Sequence, residues 1–141
     1  EKMRPVLKFL FPDMPPDGEA ARQISVNFIA NILGLGWAAT PAGLKAMKEL
    51  EKVEEKRRKE KATKMAVQAV PKGTASNEMC TFLIMNISSL QLIPVNIIAY
   101  RSQYHSVSPV AVTGPCLVAT MVSTLAAVLF CKIMDHLHKI S

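Results

Sequence analysis

The chain has 141 residues, of which 50% are hydrophobic and 20% are charged, and its formal net charge is +6. This length suits one domain. The three cysteines form no C-x-x-C pair and have no Cys/His ligand spacing, so neither a disulfide framework nor a zinc site is indicated. We therefore expect no metal and no other cofactor.

The positive charge is not arranged as in nucleic-acid-binding proteins. Ten of the 17 basic residues lie between Lys45 and Lys72, where glutamates are interleaved with them. Neither a stacking platform nor a recognition-helix pattern accompanies them, so no nucleic-acid partner is expected. By the positive-inside rule, the concentration of basic residues instead predicts that residues 48–73 form a charged helix and loop on the cytoplasmic side of a membrane.

Three stretches lack Asp, Glu, Lys and Arg altogether: residues 23–44, 79–100 and 102–131. A membrane span needs about 20 mostly apolar residues to cross about 30 Å of hydrocarbon. The pattern therefore predicts a multi-pass protein of the cell membrane. With three crossings, the charged loop and the C-terminus lie inside, and residues 1–22 lie outside.

The first 22 residues have two interpretations. The apolar side chains around Lys8 suit a short helix lying at a membrane surface. The end of a preceding helix, stopped by Pro12, fits equally well.

The first apolar segment, residues 20–47, is interrupted in its middle. Its second half reads NILGLGWAATPAGLKAM, with glycines and a proline in a short run. An interior glycine costs a helix about 1 kcal/mol and a proline about 3 kcal/mol. We predict a helix that breaks from Gly34 to Pro41 and resumes near Gly43, a form that membrane proteins tolerate around a site or cavity.

The second apolar segment has a similar interruption. In NISSLQLIP, residues 86–94, four polar side chains precede a proline. A second broken helix is predicted here, and whether residues 79–100 span the membrane or re-enter it is left open. The third segment has the plainest helix start, with Ser108 as the cap and Pro109 in the first turn.

The polar side chains at membrane depth are neutral and have two interpretations. Taken singly, each is better explained as a hydrogen-bonding group between helices, where one hydrogen bond stabilises the packing by about 0.6 kcal/mol. Together, the clusters beside the two prolines favour a site for an uncharged polar or zwitterionic solute. The candidate substrate-binding residues are Asn31, Gly34, Gly36, Thr40, Pro41, Asn86, Ser88, Ser89 and Pro94.

No catalytic constellation is recognisable. The three histidines lie in a loop and at the C-terminal tail, without a nearby nucleophile and acidic partner. No carboxylate lies inside an apolar segment, so a proton relay built on Asp or Glu is missing from the pattern. The chain is therefore not expected to be an enzyme.

Three motifs, NILGLGWAATPAGLKAMKEL, TASNEMCTFL and NISSLQLIP, cover much of the chain together with the upstream RPVLKFLFPD. They resemble the spore maturation protein A family, within the nucleoside-recognition or Gate domain superfamily. The resemblance implies a membrane protein that works in late spore development with spore maturation protein B or a similar Gate-domain partner. Gate domains also occur in nucleoside and ferrous-iron transporters, which implies solute movement.

Two features depart from the family pattern. The family motif reads GLGNAATP, and Trp37 stands where its asparagine would be. An indole donates one hydrogen bond but accepts none, and its bulk could fill a cavity. The charged loop is longer than usual, and family members have hydrophobic helices upstream, so residues 1–141 are expected to be a single Gate domain lacking those helices.

The sequence thus predicts an all-α, polytopic membrane protein whose helices are interrupted by proline and glycine. Its predicted function is transport or permeation of a small polar solute during spore maturation, as part of a membrane complex. The alternative is a membrane scaffold that docks partner helices and transports nothing.

Overall fold

The computed structural model describes residues 3–15, 17–63, 69–88 and 91–140, and its regular structure is entirely helical. The all-α fold class is confirmed for this part of the chain. Within it, six α-helices and one 3₁₀ turn (Pro109–Val112) are present: α1 Arg4–Leu10, α2 Glu19–Ile32, α3 Gly36–Thr63, α4 Asn77–Ser88, α5 Val95–Gln103 and α6 Thr113–Ile140.

α2 and α3 form an antiparallel hairpin that turns at one left-handed glycine. Gly34 has a φ of 73°, which residues with a Cβ rarely adopt. Its N–H donates to the Asn31 carbonyl at 2.9 Å, and the Leu35 N–H donates to the Ala30 carbonyl at 2.8 Å. These are the two bonds of a Schellman motif, so α2 ends and the chain reverses at this glycine.

The break is shorter than the sequence predicts. α3 begins at Gly36 and continues through Pro41 and Gly43, so the prediction that the helix resumes only near Gly43 is wrong. Pro41 removes one helical hydrogen bond, the one to the Trp37 carbonyl. The helix persists because residues on both sides of the proline, such as Ala39, are buried in the bundle.

Small residues on α3 allow α2 to approach closely. Ala39, Ala42 and Ala46 are buried and recur at intervals of three and four residues, which places them on one face. Gly43 lies beside them, where a Cβ would come within 3.0 Å of Asn27 Nδ2. The rest of the core comes from α1, the segment after it, α2, α3 and α4: Leu7, Leu10, Phe11, Met14, Ala20, Ala21, Ile24, Phe28, Leu50 and Phe82.

α4 completes a three-helix bundle and runs parallel to α2. Its Phe82 ring stacks on Phe28 of α2, with centroids 6.1 Å apart. About one turn further along both helices, Asn31 donates a hydrogen bond to Asn86. α2 and α4 therefore begin at one end of the bundle and both end at the turn around Gly34.

α6 differs from the bundle helices in length and exposure. Pro109–Leu137, 29 residues, is long and apolar enough to cross a membrane, and it is the one such stretch among the described residues. Only 11% of its most apolar part is buried inside the fold, unlike a core helix. Its C-terminal part is attached to the start of α4, where Asn77 donates a hydrogen bond to Asp135.

The N-terminal segment lies beside the charged part of α3 and the end of α6. Arg57 Nη2 donates to the Asp13 carbonyl at 2.6 Å. Lys132 of α6 donates to the Phe9 carbonyl and lies over the Phe9 ring, 4.4 Å from its centroid. These contacts place residues 9 and 13 at the same end of the fold as the charged part of α3 and the end of α6. The side of a membrane on which residues 1–22 lie stays a prediction.

The other apolar helices are too short to cross a bilayer alone. α2, α4 and α5 have 14, 12 and 9 residues. At 1.5 Å per residue they measure about 21, 18 and 14 Å, against about 30 Å of hydrocarbon. One membrane-length helix is therefore established for the described residues, and the multi-pass arrangement stays a prediction.

The charged run includes a buried ionic cluster. Arg57 Nη1 lies 2.6 Å from Glu78 Oε1 and 3.4 Å from Glu54 Oε2, and the two glutamate side chains are only 11% and 3% exposed. Glu54 also accepts the Val70 N–H at 2.7 Å. Burial by itself would lower the pKa of Arg57, but the hydrogen bonds and negative charges of Glu78 and Glu54 outweigh it and raise that pKa. Arg57 therefore stays cationic and joins α3 to α4, while Glu54 holds the loop between them through Val70.

Replacing Gly34 with Ala is expected to destabilise the protein. A Cβ there would lie 2.1 Å from the Ile93 carbonyl oxygen, and the left-handed conformation alone costs about 1–2 kcal/mol. Thermal unfolding should move to a temperature several degrees lower. Gly36→Ala is the matched control, because a Cβ at Gly36 meets nothing within 4 Å. Equal unfolding temperatures for the two variants would contradict this account of the turn.

Replacing Arg57 with Gln is expected to cost about 3–5 kcal/mol of folding stability, because it leaves two buried carboxylates without their cation. Chemical denaturation of the purified protein measures this loss. Lys56→Gln removes the same charge from an exposed neighbouring position of α3 and should change stability little. The triple variant Arg57→Gln, Glu54→Gln, Glu78→Gln should recover part of the loss, and failure to do so would argue against an ionic role.

Candidate functional site

The two helix breaks lie against each other. The Leu92 N–H donates to the carbonyl of Ile32, the last residue of α2, at 2.9 Å. The Ile93 carbonyl oxygen lies so close to Gly34 that a Cβ at this position would be 2.1 Å from it. Only glycine therefore fits at position 34. Pro94, which precedes α5, is fully buried. We call this contact between residues 32–35 and 91–94 the break junction.

A cluster of amide side chains lies next to the break junction. Asn31 Nδ2 donates to Asn86 Oδ1 at 3.0 Å and to Asn27 Oδ1 at 3.2 Å. Asn27 Nδ2 donates to the Ala39 carbonyl at 2.9 Å. Asn86 Nδ2 donates to the Phe82 carbonyl at 3.0 Å. The three asparagines, which we call the amide cluster, therefore connect α2, α3 and α4.

The amide cluster is neutral and largely enclosed. Asn27 is buried, and Asn31 and Asn86 are partly buried. Both N–H groups of the Asn31 amide are in use, so a solute would bind there by exchanging its own hydrogen bonds for existing ones. Amides that donate and accept, without net charge, match an uncharged polar or zwitterionic group better than an ion.

Four of the predicted site residues come together in the structure. Asn31 and Asn86 form the centre of the amide cluster. Gly34 and Pro94 belong to the break junction. Asn31 and Asn86, which are 55 positions apart in the chain, thus lie in contact. That these residues bind a solute stays a prediction.

The other predicted site residues lie nearby or outside the described part of the chain. Gly36, Thr40 and Pro41 occupy the first turns of α3, where the exposed Thr40 hydroxyl donates to the Gly36 carbonyl at 3.1 Å. Ser88 is buried at the end of α4 and donates to a carbonyl three residues earlier at 2.8 Å. Ser89 lies outside the described residues.

Asn27 and the Ala39 carbonyl were not among the predicted site residues. Asn27 precedes Asn31 by four positions, so the i, i+4 spacing on α2 was the signal that could have identified it. The Ala39 carbonyl could not be identified from the sequence, because every residue has a backbone carbonyl. The Phe28–Phe82 stack that lies beside the amide cluster is equally invisible before the helices are placed.

Trp37 points away from the bundle. Its side chain is 82% exposed, so its bulk does not fill a cavity at the break. Other large apolar side chains around the break junction are also exposed: Leu33, Ile87, Leu92, Ile93 and Val95. An apolar environment outside this chain would cover them favourably.

Two open grooves of the described residues lie elsewhere. One, of about 530 Å³, lies between α3 and residues 72–75, and charged side chains of both signs are among the residues that line it. The other, of about 420 Å³, lies between α1 and α2. None of the predicted site residues lines either groove.

Comparison with curated proteins identifies a relative of this chain. Spore maturation protein A of Bacillus subtilis (strain 168) is 40% identical over 126 residues, which cover 89% of this chain and 57% of the relative. The chain thus spans just over half of that relative's length. No family model matches the chain, and no solved structure matches it. Because the identity is 40% over 89% of this chain, the chain belongs to the spore maturation protein A family.

Proposed function

We propose that this protein is a membrane-embedded, non-enzymatic part of a small-solute permeation pathway in spore maturation, and that the break junction lies on that pathway. The observation that supports it is the contact between two broken helices beside a cluster of neutral amides. In membrane transporters, discontinuous helices expose backbone groups at the site where the solute binds. The relationship to spore maturation protein A supplies the sporulation context.

The charge distribution gives a depth for the break junction. In α2 the last charged residue before the turn is Arg22, and Gly34 lies twelve residues further on. Twelve residues of helix rise about 18 Å, which is slightly more than half of a hydrocarbon core of about 30 Å. If Arg22 lies at the membrane border, the break junction lies near mid-depth.

The same depth applies to α4. Glu78 is the last charged residue before residues 79–100, and Arg101 is the next one. α4, the second break and α5 therefore suit one interrupted crossing, with α6 as the return crossing. This supports a multi-pass placement in the cell membrane in which the α2–α3 hairpin is re-entrant.

Exposed apolar side chains around the break junction fit a complex better than a lone chain. They would face lipid or a second membrane protein. A Gate-domain partner of the spore maturation protein B type would complete the pathway on that side. No nucleic acid or cofactor enters this proposal.

Trp37 is the protein's one tryptophan and reports the depth of the turn. In vesicles of brominated phospholipids, we expect bromines near the acyl-chain ends to quench its fluorescence more strongly than bromines near the headgroup. The matched control is Trp37→Phe with Tyr100→Trp, because Tyr100 is exposed next to Arg101 at the expected border. That variant should be quenched best by shallow bromines. Shallow quenching of Trp37, or none, would rule out the mid-depth placement.

Replacing Asn31 and Asn86 together with Leu is expected to abolish spore maturation while the protein still inserts into the membrane. Each lost interhelical hydrogen bond costs only about 0.6 kcal/mol, too little to unfold the bundle. Spore maturation and the membrane fraction are measured in the same strain. Asn96→Leu, at an exposed position of α5, is the matched control and should leave maturation intact.

Unchanged maturation in the Asn31→Leu, Asn86→Leu variant would refute the site. The mutual hydrogen bonding of the amides is the observation that favours the second candidate, a scaffold whose polar groups only hold helices together. A solute-binding and flux screen on the chain reconstituted with its partner separates the two. The scaffold is favoured if the pair moves no solute and loss of the complex disperses other membrane proteins.

A further inference from the structure

The groove between α1 and α2 changes character along its length. Arg4, Asp17 and Arg22 line its charged part, and the half-exposed side chains of Val26 and Ile29 line its apolar part, which we call the apolar floor. Val26 and Ile29 follow Arg22 by four and seven positions, so all three lie on one face of α2. The groove thus runs from charged side chains to apolar ones, over about 10 Å of helix.

This change coincides with the expected membrane border. Arg22 is the last charged residue before residues 23–44, which have none. Leu7 of α1 also lines the groove and is buried in the core, so this part of the lining is held in place by packing. A groove with a charged rim at the border and an apolar floor below it has the polarity of a phospholipid.

The charges on the rim favour an anionic headgroup. Two arginines and one aspartate line it. Glu19 beside Arg22 adds a second negative charge, and Lys45 near Glu19 balances that charge, so one positive charge remains in excess. Arg4 is paired with Asp17. The Arg22 side chain is 75% exposed, and its ion pair with Glu19 is long, at 3.5 Å. Because this pair is weak, the guanidinium can turn to a phosphate at little cost. Arginine is well suited to this role because its planar fork binds phosphate oxygens in pairs.

We propose that this groove binds one anionic glycerophospholipid. The phosphodiester lies at Arg22 and Arg4, and an acyl chain lies along Val26 and Ile29. The proposal rests on the membrane placement suggested above but not on solute movement. A free phosphate compound would use only the rim, so the apolar floor assigns the groove to lipid.

The test is a lipid titration of the full chain in detergent, followed by native mass spectrometry. Phosphatidylglycerol should bind more tightly than phosphatidylcholine with the same acyl chains. Arg22→Gln should weaken phosphatidylglycerol binding roughly tenfold, the effect of losing a charge-assisted hydrogen bond. Lys56→Gln is the charge-matched control at an exposed position of α3 and should leave binding unchanged.

A second variant tests the apolar floor. Val26→Ser should also weaken phosphatidylglycerol binding, and glycerol 3-phosphate at equal concentration should not displace the lipid. Equal binding of the two lipids, equal effects of Arg22→Gln and Lys56→Gln, or displacement by glycerol 3-phosphate would each overturn the proposal. Because these measurements involve no flux, lipid binding and the permeation function can fail independently.

Discussion

The close passage of two non-helical backbone segments determines the arrangement of this bundle. A carbonyl from the second break occupies the space where any side chain at position 34 would have to be. A hydrogen bond from Leu92 to the end of α2 joins the same two segments. In an apolar environment, backbone groups freed at a helix end must find partners within the protein. The Leu92 N–H of the second break and the Ile32 carbonyl at the first are partners of this kind.

The amide cluster follows from the same contact. Once the ends of α2 and α4 are together, Asn31 and Asn86 are within hydrogen-bond distance, and Asn27 extends the cluster to a carbonyl of α3. Buried polar networks of this kind specify one arrangement of helices when all members are satisfied. In the proposed function, a polar solute would exchange hydrogen bonds with the same amides that hold the helices together.

The opposite end of the bundle is held by charge. Arg57 joins two buried glutamates and the chain before α2, and Lys132 joins α6 to Phe9 of α1. A buried ion pair contributes little net stability, but it penalises any arrangement in which one partner is left alone. The protein is therefore polarised, with ionic contacts at one end and neutral amides at the other.

The sequence by itself determined the helical class, the two interrupted segments and the neutral character of their polar residues, because these depend on residue type and spacing. It also determined that the third uncharged segment, residues 102–131, contains an apolar helix that starts near Pro109. Tertiary structure decided where the first break lies: Gly34 needs a left-handed turn, whereas Pro41 is accommodated within a helix that packs through Ala39 and its neighbours. It also decided that residues 9 and 13 lie beside the end of α6 and the charged part of α3, because contacts between residues 9 and 132 and between 13 and 57 have no local signature. Spacing along one helix can be read from a sequence, but the level at which two helices meet is set by packing between distant residues.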